Sequence, residues 1–107
     1  MGLKLNQRDV SMVGSSFYPG ASNWITRLKA GQGLRLEREP NNKFDKNAIA
    51  VFTFQQQLGY LPRGFAAEVA QWVDLGFKIT AKKSAKFPGT GVLTVEWETS
   101  DDAAANP

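Results

Sequence analysis

Between Arg38 and Val51 the chain reads R-E-P-N-N-K-F-D-K-N-A-I-A-V, and Pro40–Asn47 alone holds three asparagines, one aspartate and two lysines. A chain reversal needs only about one or two of Asn, Asp, Gly or Pro. The surplus suits a loop that grips something. Asn41 and Asn42 carry donors and acceptors together, which fits base edges or sugar hydroxyls. Asp45, when ionised, only accepts, so it would take a hydroxyl or amino group and repel a phosphate. Lys43 and Lys46 place positive charge beside it. The set matches a ligand with a hydroxyl to donate and phosphates close by. Asx turns built by Asn41, Asn42 and Asp45, with Asn47 satisfying backbone at a strand start, are the structural alternative, and both readings stay open.

Three other segments carry usable chemistry. Phe17-Tyr18-Pro19-Gly20 puts two aromatics side by side; on a strand they would face opposite ways, so one packs inward and one can stack on a base. Tyr18, whose hydroxyl needs water or a partner, is the better stacking candidate, and Phe17 is equally readable as core. Gly59-Tyr60-Leu61-Pro62-Arg63 runs from a strand into a helix start, where Arg63 could meet a phosphate or simply be a solvated charge. Lys78, Lys82 and Lys86, with Thr80 and Ser84 between them, share one strand face, either solvated or tracking a phosphate backbone.

Composition removes several function classes. The chain has no cysteine and no histidine, which excludes disulfides, thiol nucleophiles, His-based triads and most zinc sites. Glu37, Glu39 and Asp45 are the only dense carboxylates, and a Mg²⁺ nuclease could use them, but the usual Asp then Glu-x-Lys order is missing. Ser15 and Ser16 have no base to activate them. No catalytic residue, metal or cofactor is therefore expected.

At 107 residues, 42% hydrophobic and 21% charged, the chain reads as one globular domain. Residues 1–99 hold every basic residue and carry a net +5, and the last eight residues, S-D-D-A-A-A-N-P, bring it to +3. We read 1–99 as the domain and 100–107 as a disordered tail. The basic excess tilts the partner towards polyanions. No run approaches the roughly 18 apolar residues of a membrane helix, and no secretory core is visible, so a cytoplasmic setting without membrane contact is expected.

Elements that must position these residues follow from periodicity. Strands are expected at Val10–Tyr18, Gly33–Glu39, Asn47–Phe54, Leu58–Leu61, Phe77–Phe87 and Val92–Glu98. Phe65, Val69, Trp72 and Val73 mark a helix over about 64–75, and Ala21–Ala30 contains a short helical turn with Trp24 and Leu28 on one face. Trp24, Trp72 and Trp97 read as core, and nothing shows a dimer surface, so the default is a monomer. Short antiparallel strands with one inserted helix imply a mainly β, small, partly closed barrel.

The stretch Ser11–Lys82 resembles a HIRAN domain. Val13-Gly14, Phe17-Tyr18, Leu34–Pro40, Asn42, Phe44-Asp45, Asn47–Val51 and Gly59-Tyr60-Leu61-Pro62-Arg63 carry the likeness, in spacing as well as identity. The resemblance implies a six-stranded OB-like barrel that binds single-stranded DNA, and in fork-remodelling helicases it captures a free 3′-hydroxyl end. Carried over by position, it nominates Phe17, Tyr18, Asn42, Asp45 and Tyr60, which join Asn41, Lys43, Arg63, Lys78 and Lys82 as the DNA-binding set. Ser16 stands where helicase-linked members have an arginine, and Lys43 where a proline is common. A stand-alone bacterial or phage-type module is implied, in the bacterial or host cytoplasm, with a helicase or nuclease supplied in trans for repair or fork processing. A protein-interaction module with a degenerate DNA site is the alternative, and a weak nuclease a distant third.

Overall fold

The computed structural model describes residues 3–100, and within them six strands form one antiparallel sheet. They are β1 (Leu3–Ser11), β2 (Gly33–Arg38), β3 (Ile49–Thr53), β4 (Gln56–Tyr60), β5 (Ile79–Lys83) and β6 (Val92–Ser100), laid out in the order β1-β6-β5-β2-β3-β4. Two helices, α1 (Ala21–Arg27) and α2 (Arg63–Asp74), complete the chain. The mainly β, OB-like architecture is the expected one. Ser100 belongs to β6, one residue past the expected domain end, and the rest of the expected tail lies outside the described residues.

The outer strands of the sheet, β1 and β4, are drawn together just beyond β1. Val13 and Tyr60 exchange two backbone hydrogen bonds of 2.8 Å each. This approach depends on Gly59. A Cβ there would sit 2.6 Å from the Val13 carbonyl oxygen and 3.0 Å from Ser15 Oγ. A register shift between Val51 and Phe52 leaves Leu58 as an extra residue on β4, and such a bulge bends the strand.

Core side chains come from one face of the curled sheet and from α2. Ile49, Val51, Leu58, Leu61, Leu93 and Val95 are buried with Phe65, Ala66, Val69 and Ala70 of α2, whose i, i+4 pairs face inward as the periodicity requires. Burying each of the larger ones contributes roughly 1.5–3 kcal/mol. β3, read as apolar on both faces, is indeed enclosed between β2 and β4.

Three expectations need correction. Val10–Tyr18 is not a strand: β1 ends at Ser11, Gly14 turns left-handed (φ 76°), and Ser15–Phe17 is a 3-10 turn. β1 escapes periodicity because its side chains are mostly exposed, and backbone pairing with β6 holds it. Trp24 lies on the surface, its ring 6.1 Å from that of Phe54, whereas Trp72 and Trp97 stack at 4.5 Å against the core. The lysine stripe is broken, since β5 ends at Lys83 and Ser84 is buried. Lys82 then pairs with Glu96 at 3.5 Å and Lys86 with Asp9 at 3.6 Å.

Lys83 is the largest fully buried side chain. Its Nζ donates to the carbonyls of Phe87 (2.7 Å), Val92 (3.1 Å) and Ser84 (3.4 Å), so it stitches the β5–β6 connection, and burial pulls its pKa down.

Candidate nucleic-acid interface

The Asn-rich loop spends the side chains of Asn42 and Asp45 on itself. Asn42 Oδ1 accepts from the backbone N–H groups of Phe44 (2.9 Å) and Asp45 (3.0 Å), and its Nδ2 donates to Glu39 Oε1 (3.0 Å). Asp45 Oδ1 accepts from the Asn47 N–H at 2.9 Å. These are Asx turns, the structural alternative open at the sequence level. Two arginines fasten the loop from outside. Arg38 donates to the Lys46 carbonyl while pairing with Asp74 at the end of α2 (3.1 and 3.2 Å). Arg63, the first residue of α2, donates to the Phe44 carbonyl at 3.0 Å and lies 3.6 Å from Asp45 Oδ2.

A loop fixed in this way thrusts Phe44 into solvent, 87% exposed. Across from it, the 3-10 turn leaves Phe17 82% exposed. Both phenylalanines border one hollow of about 470 Å³, lined also by Val13, Tyr18, Asn42, Asp45, Ala48, Tyr60, Leu61 and Arg63. Phe17 and Tyr18 thus serve the same hollow. Adjacent residues do so because they sit on a turn, where the opposite-face rule of a strand does not hold.

Tyr60 and Glu39 organise the hollow's wall. The Tyr60 hydroxyl donates to Glu39 Oε1 at 2.8 Å, the same oxygen that takes Asn42 Nδ2, so one carboxylate ties β4 to the loop. Burial, reinforced by the neighbouring Tyr18 and Glu39, pushes the Tyr60 phenol above its ordinary range and keeps it a donor. The Tyr18 and Tyr60 rings lie 6.2 Å apart, tilted by 50°.

Six of the expected binding residues, Phe17, Tyr18, Asn42, Asp45, Tyr60 and Arg63, are therefore brought together. Asn41 and Lys43 are exposed on the loop but do not line the hollow. Lys78 and Lys82 lie apart on or beside β5, near separate shallow depressions. Phe44 and Glu39 are the contributors that residue-by-residue reading left out. The signal for Phe44 was a lone aromatic among polar loop residues, which has no core to fill. Glu37 and Glu39 do not converge on a metal: Glu37 pairs with Arg35 at 2.6 Å, and Glu39 holds Tyr60 and Asn42.

Chemically, the hollow offers flat apolar faces for stacking, one cation at a helix start and one half-enclosed carboxylate. The profile of the HIRAN domain matches residues 6–88. The chain belongs to the HIRAN domain family. Among solved structures, the HIRAN domain of human HLTF superposes with a TM-score of 0.75 at 25% identity, covering 94% of this chain and 83% of that one. A protein from Lactobacillus plantarum superposes with a TM-score of 0.71 at 27% identity, covering 91% and 97% respectively. Helicase-like transcription factors of Oryctolagus cuniculus and Mus musculus are each 39% identical over 64 residues, 59% of this chain. The match spans only 6% of the length of those relatives. Among the described residues, no helix is long and apolar enough to cross a membrane.

Proposed function

We propose that this HIRAN domain is a non-enzymatic module that binds single-stranded DNA at a free 3′-hydroxyl end. The observation that carries the reading is the meeting of two exposed phenylalanines with the Asp45 carboxylate in one hollow. Each base stacked on an aromatic contributes roughly 1–3 kcal/mol without regard to sequence. Asp45 uses one oxygen on the Asn47 N–H and meets Arg63 only at 3.6 Å, so it keeps lone pairs for a donor. A terminal hydroxyl is such a donor, and a terminal phosphate would be repelled. Arg63, with Lys43 on the loop rim, supplies positive charge to the phosphates that follow. A helicase or nuclease acting in repair or fork processing, in the bacterial or phage-host cytoplasm, would be the working partner.

Fluorescence anisotropy of the chain with a short labelled single strand tests this, comparing a 3′-hydroxyl, a 3′-phosphate and a blunt duplex at two salt concentrations. The 3′-hydroxyl strand should bind tightest, and Asp45→Ala should abolish the preference. If about three phosphates are neutralised, log affinity should fall against log salt with a slope of about −2. Equal affinity for the two single strands would defeat end recognition. A second reading, a protein-docking module, is favoured by one observation: Arg63 is the only cation lining a hollow whose walls are largely apolar. Failure to bind any strand at low salt would select it.

A further inference from the structure

We propose that a second aromatic surface, formed by Trp24, Phe54, Phe52 and Arg35, carries the single strand onward from the hollow. This inference rests on the single-strand reading above and adds where the rest of the strand runs.

Phe54 opens the two-residue turn between β3 and β4, which the pair Thr53 and Gln56 closes. Its φ is 51°, and Phe54 is the sole non-glycine with positive φ among the described residues. Positive φ at the first turn position alone is the type II′ pattern, where glycine is preferred and a bulky side chain is strained. The side chain gains no core in return, since it is 74% exposed. An aromatic group at this position opposes the local backbone preference and gives the fold little burial. That combination points to use at the surface.

Its neighbours form a stacking platform. The Trp24 ring, on α1, lies 6.1 Å from the Phe54 ring at 53°. Arg35 sits 4.3 Å over the Phe52 ring and donates to the Phe54 carbonyl at 3.3 Å. Arg27, about one turn along α1 from Trp24, and Lys29 just beyond are exposed, while Glu37 pairs with Arg35. Interleaved aromatics and cations fit a single-stranded nucleic acid better than a neutral peptide.

Two elements lead from the platform to the hollow. β4 starts beside Phe54 and ends at Tyr60, a run of about 15–20 Å at the usual strand rise. α1 leads directly from the Phe17-Tyr18 turn to Trp24. A hollow of about 470 Å³ accommodates only the end of a strand, whereas OB-like barrels commonly cover about 4–16 nucleotides.

The test uses the full chain and two 3′-hydroxyl oligothymidines, one of about three and one of about ten nucleotides. Phe54→Gly relieves the turn, so its melting temperature should be no lower than wild type and lost binding cannot be ascribed to unfolding. Phe54→Gly and Trp24→Ala should each weaken the longer strand by about five-fold or more and leave the shorter one unchanged. Phe17→Ala should weaken both. If both platform variants bind the longer strand as wild type does, the platform is overturned while the end site stands. If Phe17→Ala is silent but Phe54→Gly weakens the longer strand, the platform is upheld and the end site fails. Wild-type chain that binds neither strand overturns both.

Discussion

Replacing Gly59 by alanine should break the bridge between Val13 and Tyr60 and the hollow with it. The added Cβ would lie 2.6 Å from the Val13 carbonyl oxygen, the acceptor of the Tyr60 N–H, and 3.0 Å from Ser15 Oγ. Neither neighbour is the free end of a flexible chain, so the backbones must part. Losing the two hydrogen bonds of the bridge costs about 0.5–1.5 kcal/mol each. Overpacking adds about 1–3 kcal/mol. The sum, about 2–6 kcal/mol, is a large fraction of the roughly 5–15 kcal/mol that a domain has. Urea unfolding should therefore show a midpoint lower by about 1–3 M. Because Val13 and Tyr60 both line the hollow, affinity for a 3′-hydroxyl strand should fall in parallel even where the variant is still folded. Gly64→Ala is the control: nothing lies within 4 Å of its Cβ position on α2, and it should gain up to about 1 kcal/mol. A Gly59→Ala chain as stable as wild type would show that the close approach of Gly59 to Val13 is not needed.

Two further substitutions test the wall of the site and an edge contact. Tyr60→Phe removes the donor to Glu39 and should cost about 1–2 kcal/mol, with a several-fold loss of strand affinity in the same anisotropy assay. The raised Tyr60 pKa implies stability that is complete below its ordinary 10.0 and lost as pH rises through the folded value, so alkaline melts of Tyr60→Phe should lack that loss. Asp9 is held below its ordinary 3.8 by the Thr94 hydroxyl, with Lys86 assisting. Its contribution is present above 3.8 and fades as pH falls through the lower folded value, so acid melts of Asp9→Asn should show a shallower decline.

Much of this molecule was legible along the chain because the signals were local. Phe65, Val69 and their alanine neighbours announce α2 by spacing alone, and Pro40 and the asparagines announce the loop by backbone chemistry. β1 was not legible, since an outer strand held by backbone pairing has no need of alternation. Nor was the inward course of Lys83, whose three carbonyl acceptors assemble only when the 84–92 connection folds over it.

By itself the sequence determined the family, the order of elements and the presence of aromatics, amides and one aspartate at suitable spacing. Tertiary structure decided what each of those groups does. Asn42 is consumed within the loop, Phe44 is expelled from it, and Phe17 joins Tyr18 on one hollow rather than opposing it. The reason is physical: a residue type carries its donors and its apolar surface with it, but their direction depends on backbone turns and strand pairings contributed by distant residues. Here Gly14, Gly59 and the bridge between Val13 and Tyr60 set that direction.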